Sequence, residues 1–316
     1  LKKTFLYVLI STFMFSSMEI ALKSVGNAFS PIQLNLIRFF VGGLVLLPIV
    51  LKNKNTVNNS KWKSLGIFSL TGFLCVVFSM TLYQLAIVYD QAATVAVLFS
   101  CNPVFAILFA FIILREKINR LGLISLVISI IGLLIIVNPA NLTNPLGLTL
   151  ALGSALTFGL YSIVSRWGSF VSGYGGLALT CYTFLAGSIE LFVLILITHI
   201  PFVANFMNSV SWLKSFANTP VLQNVNLHYF WMLLFICVCV TGGGFAFYFL
   251  AMDRAGVSIA SLVFFIKPGL APILAMMLIG EKISLNTWIG IIVILIGSVI
   301  TFIGSQLEQK ESDLKE

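Results

Sequence analysis

Four ionisable side chains stand inside long apolar runs: Glu19, Arg38, Glu190 and Lys267. A charge at the centre of a membrane helix costs about 2.5–3.5 kcal/mol, so four unrelieved charges would cost on the order of 10–14 kcal/mol. They must be paired, hydrated or neutralised. Each of these is chemistry: a carboxylate that takes up and releases a proton, a cation that receives an anion, or an ion pair that fixes helices together. Thr12, Ser16, Glu19 and Lys23 recur at helical spacing and form one polar stripe. Ser154, Thr157, Tyr161 and Ser165 form a second. Two such stripes suggest a wet path on which Ser16, Thr157 and Tyr161 meet a polar solute, although hydroxyls also simply hold membrane helices together. Lys267 precedes Pro268, and a proline inside a helix removes a donor and frees carbonyls around it. A lysine there can receive a solute carboxylate or pair with a carboxylate of another helix. Asn102-Pro103 repeats the arrangement, and Pro103 and Pro268 are expected to kink their helices.

The elements that position these groups follow from composition. The 316 residues are 59% hydrophobic and 9% charged, where globular domains carry about 25% charged residues. That excludes a cytosolic enzyme, a nucleic-acid module and a disordered chain. The net charge of +8 reflects basic loops of a membrane protein rather than a nucleic-acid partner. The five cysteines all lie in apolar runs, and Cys237 and Cys239 point to different helix faces with no nearby histidine, so neither a disulfide framework nor a metal is expected. Nothing suggests a cofactor.

A spanning helix needs about 20 apolar residues, and ten stretches qualify: roughly 4–22, 31–51, 64–86, 91–114, 120–138, 147–166, 176–198, 229–251, 257–279 and 286–305, numbered spans 1 to 10. The first is too long and too polar on one stripe for a cleaved signal peptide. Thirteen of the eighteen Lys and Arg fall on the side of the termini and three on the other. This places both termini, and residues 52–63, in the cytoplasm of a multi-pass cell-membrane protein. Within 199–228, Phe202, Phe206, Val210, Leu213 and Phe216 recur every three or four residues, the pattern of an amphipathic helix on the outer membrane face. The charged tail 306–316 is expected to be cytoplasmic and frayed.

At 1.5 Å per residue, Glu19, Glu190 and Arg38 all lie about 20 Å from the inner face, and Lys267 about 14 Å from it. Asn35, Arg38 and Gly42 share a face, on which the glycine admits a close neighbour. These depths predict a structural ion pair between Arg38 and a carboxylate, Glu190 foremost, and a central cavity bordered by Glu19 and Lys267 with Asn102 on the opposite wall.

The chain also repeats itself. At an offset of 165, Tyr83-Gln84-Leu85-Ala86 aligns with Tyr248-Phe249-Leu250-Ala251, Pro103 with Pro268, Glu116-Lys117-Ile118 with Glu281-Lys282-Ile283, and Gly132 with Gly297. Phe15 and Lys23 echo Phe158 and Arg166. Five is odd, so spans 1–5 (residues 1–140) and 6–10 (residues 141–305) would be two repeats inserted with opposite orientation. The doubled Pro…Glu-Lys-Ile pattern in ten spans resembles the EamA family of the drug/metabolite transporter superfamily. The resemblance implies an all-α membrane protein with a cavity lined by spans 1, 3, 4, 6, 8 and 9, and spans 5 and 10 set apart.

Inverted repeats suit alternating access. The sequence therefore reads as a secondary transporter, an exporter of small polar metabolites such as amino acids. Lys267, Glu19, Asn102, Ser16, Tyr161 and Thr157 would contact the solute, and Glu19, with Glu190 second, would carry a coupling proton. Its partners would be that solute and the bilayer, in a monomer or homodimer. A drug or amine exporter would depend on a carboxylate and be indifferent to Lys267. A non-transporting receptor is the alternative from another class. An intramembrane enzyme is disfavoured, because His199 and His228 are the only histidines and neither a His-Glu-x-x-His nor a Gly-x-Ser-x-Gly motif is present.

Overall fold

The computed structural model describes residues 2–52, 61–115, 120–138, 144–209, 216–260 and 262–313, and among them every regular element is a helix. Ten helical stretches are long and apolar enough to cross a membrane: Lys3–Val25, Pro31–Lys52, Trp62–Tyr89, Ala92–Ile113, Arg120–Val137, Pro145–Ser172, Gly176–Thr198, Leu227–Met252, Leu262–Ile279 and Leu285–Gly304. These are spans 1 to 10 as the sequence placed them. With an even number of crossings the two termini share one end of the bundle; the opposite end is the distal end. The last helix continues past its span to Asp313, so much of the expected frayed tail is helical. The amphipathic pattern at 199–228 yields a short helix, Pro201–Ser209, and then turns from residue 216 on; Val210 and Leu213 lie outside the described residues.

Local chemistry sets the ends. Asn144 caps span 6 by accepting from the Gly147 N–H at 3.2 Å, with Pro145 in the first turn, and Gly173 ends that helix at φ +75°. Asn226 caps span 8 by accepting from the His228 and Tyr229 N–H groups. Span 4 is broken: helix Ala92–Phe99 stops, Ser100 and Cys101 turn, and helix Asn102–Ile113 resumes with Pro103 near its start. Proline cannot supply the missing N–H and disfavours helical geometry before it. Span 9 instead runs unbroken through Pro268 and Pro272.

Spans 3 and 8 each widen midway into a π-helical turn, Phe73–Ser79 and Phe235–Gly243. A wide turn leaves carbonyls short of partners, and side chains supply them: Asn35 Nδ2 donates to the Val76 carbonyl at 2.8 Å and Thr241 Oγ1 to the Ile236 carbonyl at 2.8 Å.

Span 1 packs on spans 8 and 9, span 6 on spans 3 and 4, span 2 on spans 7 and 8, and span 5 chiefly on span 10. Small residues permit the tightest crossings. A Cβ on Gly42 would meet the Thr241 side chain, and one on Gly242 would meet Val45. At the crossing of spans 3 and 7, a Cβ on Gly72 would lie 2.5 Å from the Gly187 backbone nitrogen. Backbone cannot move aside as a side chain can, so Gly72→Val is expected to cost about 1–3 kcal/mol or more. Gly66, in the same span, has open space around its Cα. Gly66→Val is therefore expected to melt with the parent, and Gly72→Val well below it, in detergent-solubilised protein.

Candidate functional site

Glu19 on span 1 and Lys267 on span 9 meet at the core of the bundle. Lys267 Nζ lies 2.7 Å from Glu19 Oε1, and the two side chains are 4% and 1% exposed. The Tyr83 hydroxyl on span 3 donates to the same carboxylate oxygen. Phe99 on span 4 supports both partners, its ring centroid 4.6 Å from that of Tyr83 and 5.3 Å from Lys267 Nζ. Four spans thus converge on one ion pair. Taking two charges out of water is expensive, and their attraction repays it only when geometry and further hydrogen bonds are good. Tyr83 supplies such a bond; Glu19 Oε2 has no partner.

Beside the pair lies a small cavity of about 30 Å³, room for a water or two. Phe15, Phe39, Phe99, Phe158, Phe245 and Phe264 line it, and Arg38 and Lys267 bring two cations to it. Spans 1, 3, 4, 6, 8 and 9 all reach the cavity, as does span 2 through Arg38 and Phe39. Phe15 stacks on Phe264 at 5.8 Å and meets Phe245 edge-on at 4.9 Å. The ring cluster closes the path that the polar stripe of span 1 suggested: Thr12, Ser16 and Glu19 are all buried.

The other predicted residues are placed as follows. Ser16 Oγ is fully buried and has no partner. Thr157 Oγ1 donates to the Gly153 carbonyl of its own helix at 2.8 Å. Tyr161 is buried against Phe158 with ring centroids 5.2 Å apart. Of the residues expected at the cavity Lys267 lines it, whereas Glu19, Ser16, Thr157, Tyr161 and Asn102 do not; Asn102 Nδ2 donates at 2.8 Å to the Phe99 carbonyl, which the break in span 4 leaves free. The expected Arg38–Glu190 ion pair is not formed. Glu190 accepts from Ser69 on span 3, whereas the Arg38 guanidinium lies 4.5 Å from the Phe39 ring centroid with Nη2 3.2 Å from Met80 Sδ. Equal depth put the two charges on one level but could not say which way each faces around its helix.

Two features escaped the sequence reading. Tyr83, which marked only the repeat in the sequence, is fully buried on Glu19. At the distal end, Lys23 lies 3.6 Å from Glu281 and also donates to the Asp90 carbonyl. Glu281 accepts from the Ala92 and Ala93 N–H groups at 2.8 and 3.0 Å, so it caps span 4, where a carboxylate is favoured by the open N–H groups. Its repeat mate, Glu116, lies outside the described residues. Spans 1, 4 and 9 are thereby tied together beneath a polar vestibule of about 590 Å³, lined among others by Lys23, Asp90, Asn138, Asn144 and Lys282. Burial lifts the Asp90 carboxyl above its ordinary value, against the pull of the Gln91 N–H and Lys23. A carboxyl raised in the folded chain binds its proton more readily there, so the penalty this group imposes when ionised is relieved as pH falls through its folded value.

The comparisons with known proteins agree with this architecture. A solved crystal structure superposes with a TM-score of 0.62 at 19% identity, covering 97% of this chain and 99% of its own, which establishes a shared fold. An uncharacterized transporter of Clostridium kluyveri is 32% identical over 100% of this chain and 97% of its own length. One of Archaeoglobus fulgidus is 24% identical over 89% and 91%. The model of the EamA-like transporter family matches residues 2–138 and 145–303. A match over nearly the whole of a ten-span bundle closed around a buried ion pair identifies a membrane transporter: the chain belongs to the EamA-like transporter family.

Proposed function

We propose that this transporter is a secondary exporter of small polar metabolites such as amino acids, working by alternating access between two inverted five-span repeats. The carrying observation is the Glu19–Lys267 pair, buried where spans 1 and 9 meet beside a nearly closed cavity. An ion pair held by groups on four spans must rearrange when those spans part, and a polar solute can offer replacement partners at that moment. The pairing of spans supports the repeat reading: exchanging spans 1, 3 and 4 with 6, 8 and 9 maps the contacts of span 1 onto those of span 6. The two segments matched by the family's model divide at the same place. The closed cavity and the distal tie of Lys23 to Glu281 fit an occluded state of such a cycle. Both termini are cytoplasmic in this reading, and Glu19 carries a proton.

The test is exchange in proteoliposomes. Vesicles preloaded with an unlabelled solute and presented with the same labelled solute are expected to take up label faster than empty vesicles, for at least one member of a panel of amino acids, amines, sugars and carboxylates. A flat response across the panel from well-folded protein would sink the proposal.

A further inference from the structure

We propose that Arg38 is the anion-binding residue of the central cavity, and that it receives the carboxylate of a ligand with an apolar body, which narrows the polar metabolites of the proposed function to acids with an apolar side chain. The inference rests on the transporter reading for the idea that a ligand enters the cavity, but its argument concerns one orphaned charge. Arg38 is 1% exposed. A guanidinium has five N–H donors, and among the described residues no oxygen meets any of them: Nε and Nη1 have no partner, and Nη2 faces only the weak acceptor Met80 Sδ at 3.2 Å. Buried charges in proteins are otherwise paired or hydrogen-bonded.

The surroundings are also one negative charge short. Arg38 and Lys267 both line the cavity, and Glu19 is the only carboxylate within electrostatic reach of Arg38 among the described residues. Glu19 Oε1 is already occupied by Lys267 and Tyr83, and Glu190 is turned to Ser69. A water could fill the 30 Å³ cavity and accept from the guanidinium, but it would bring no charge. An oxyanion would supply both the acceptors and the missing charge, and a carboxylate matches the planar fork of arginine. The rest of the lining is six phenylalanine rings with Met18, Met80, Cys75 and Val240, and one hydroxyl, Thr241, whose proton is already given to the Ile236 carbonyl, so it suits an apolar body. The body requires the rings to part, so binding is to a more open state than the closed one.

The experiment uses the full chain in lipid nanodiscs. It measures binding of a series of monocarboxylates from propionate to 3-phenylpropionate, each beside its neutral amide, with 3-phenylpropylamine and chloride as further arms. Expected is saturable binding of the larger carboxylates, with the matched amides and the amine at least about thirtyfold weaker, the size of a lost charged hydrogen bond. Arg38→Met should weaken carboxylate binding by a similar factor, and Arg38→Lys, which keeps the charge without the fork, by less. The empty Arg38→Met protein should melt no lower than the parent, because an unpaired buried charge has been removed. Equal response to acids and amides throughout the series overturns the proposal, and this arm needs only the parent protein. So does chloride binding as tight as that of the carboxylates, or unchanged carboxylate binding in Arg38→Met. Carboxylate binding without exchange across vesicles would remove the transport reading and keep the anion site. Exchange of a carboxylate that survives Arg38→Met would do the reverse.

Discussion

Lys267→Met is expected to lower the stability of the folded chain by about 3–5 kcal/mol and to abolish transport, the largest loss foreseen for any substitution in the site. The methionine fills the lysine's space but leaves the Glu19 carboxylate buried with Tyr83 as its one remaining partner. The cost is that of a stranded charge, so it should disappear when the charge does. The double variant Glu19→Gln, Lys267→Met is therefore expected to melt close to the parent while remaining inactive. Thermal and denaturant unfolding of the parent, the two single variants and the double variant give the coupling energy directly. If the double variant is as unstable as Lys267→Met alone, the lysine acts by filling space and the ion pair contributes nothing. An amine exporter would need Glu19 and, in whatever Lys267→Met protein folds, keep its transport.

Glu19→Gln is expected to erase accumulation driven by a pH gradient while leaving solute exchange within about tenfold of the parent. In the proposed cycle the carboxylate is matched by a cation in the closed state and loses Lys267 once spans 1 and 9 separate. A proton is then the replacement partner, and a proton bound preferentially in one state is what couples a gradient to a conformational cycle. Glutamine keeps the shape and accepts from Tyr83 but leaves the Lys267 ammonium buried without its anion, so the variant should melt below the parent as Lys267→Met does; with no carboxylate to neutralise, the folded fraction reaches both states without a proton. Exchange needs only that the bundle open and close, and it should survive. The measurement compares labelled uptake into proteoliposomes with and without an imposed pH gradient, and exchange at equal pH, for parent and variant. If parent uptake ignores the gradient, Glu19 has no coupling role and the ion pair is a packing device.

Much of this arrangement could be read from residue types. Ten apolar runs of sufficient length gave ten spans, because hydrocarbon thickness leaves a chain few alternatives. Glu19 and Lys267 stood out because a charge in such a run must find a partner, and here they are each other's. Counting along the helices placed them at different depths, since the start of an apolar run is a poor ruler and a lysine side chain is long. Arg38 and Glu190 failed for the complementary reason: equal depth says nothing about direction. The aromatic lining was illegible because 28 phenylalanines in one chain give no hint which six will meet. The cap that Glu281 makes on span 4 joins residues 188 and 189 positions apart, and only folding could reveal it.

The widened turn in span 3 means that this helix keeps two separate phases. An α-helix advances about 100° per residue, and a π turn accommodates one residue more than the regular helix would. Everything after Ser79, Tyr83 included, is rotated by about that angle from where a straight continuation of Trp62–Gly72 would aim it. Deleting a single residue between Phe73 and Ser79 would let the helix close into regular turns and carry the Tyr83 hydroxyl off Glu19, although no residue of the site had been touched. Insertions and deletions, ordinarily the privilege of loops, would at this membrane-embedded stretch act as a switch of register.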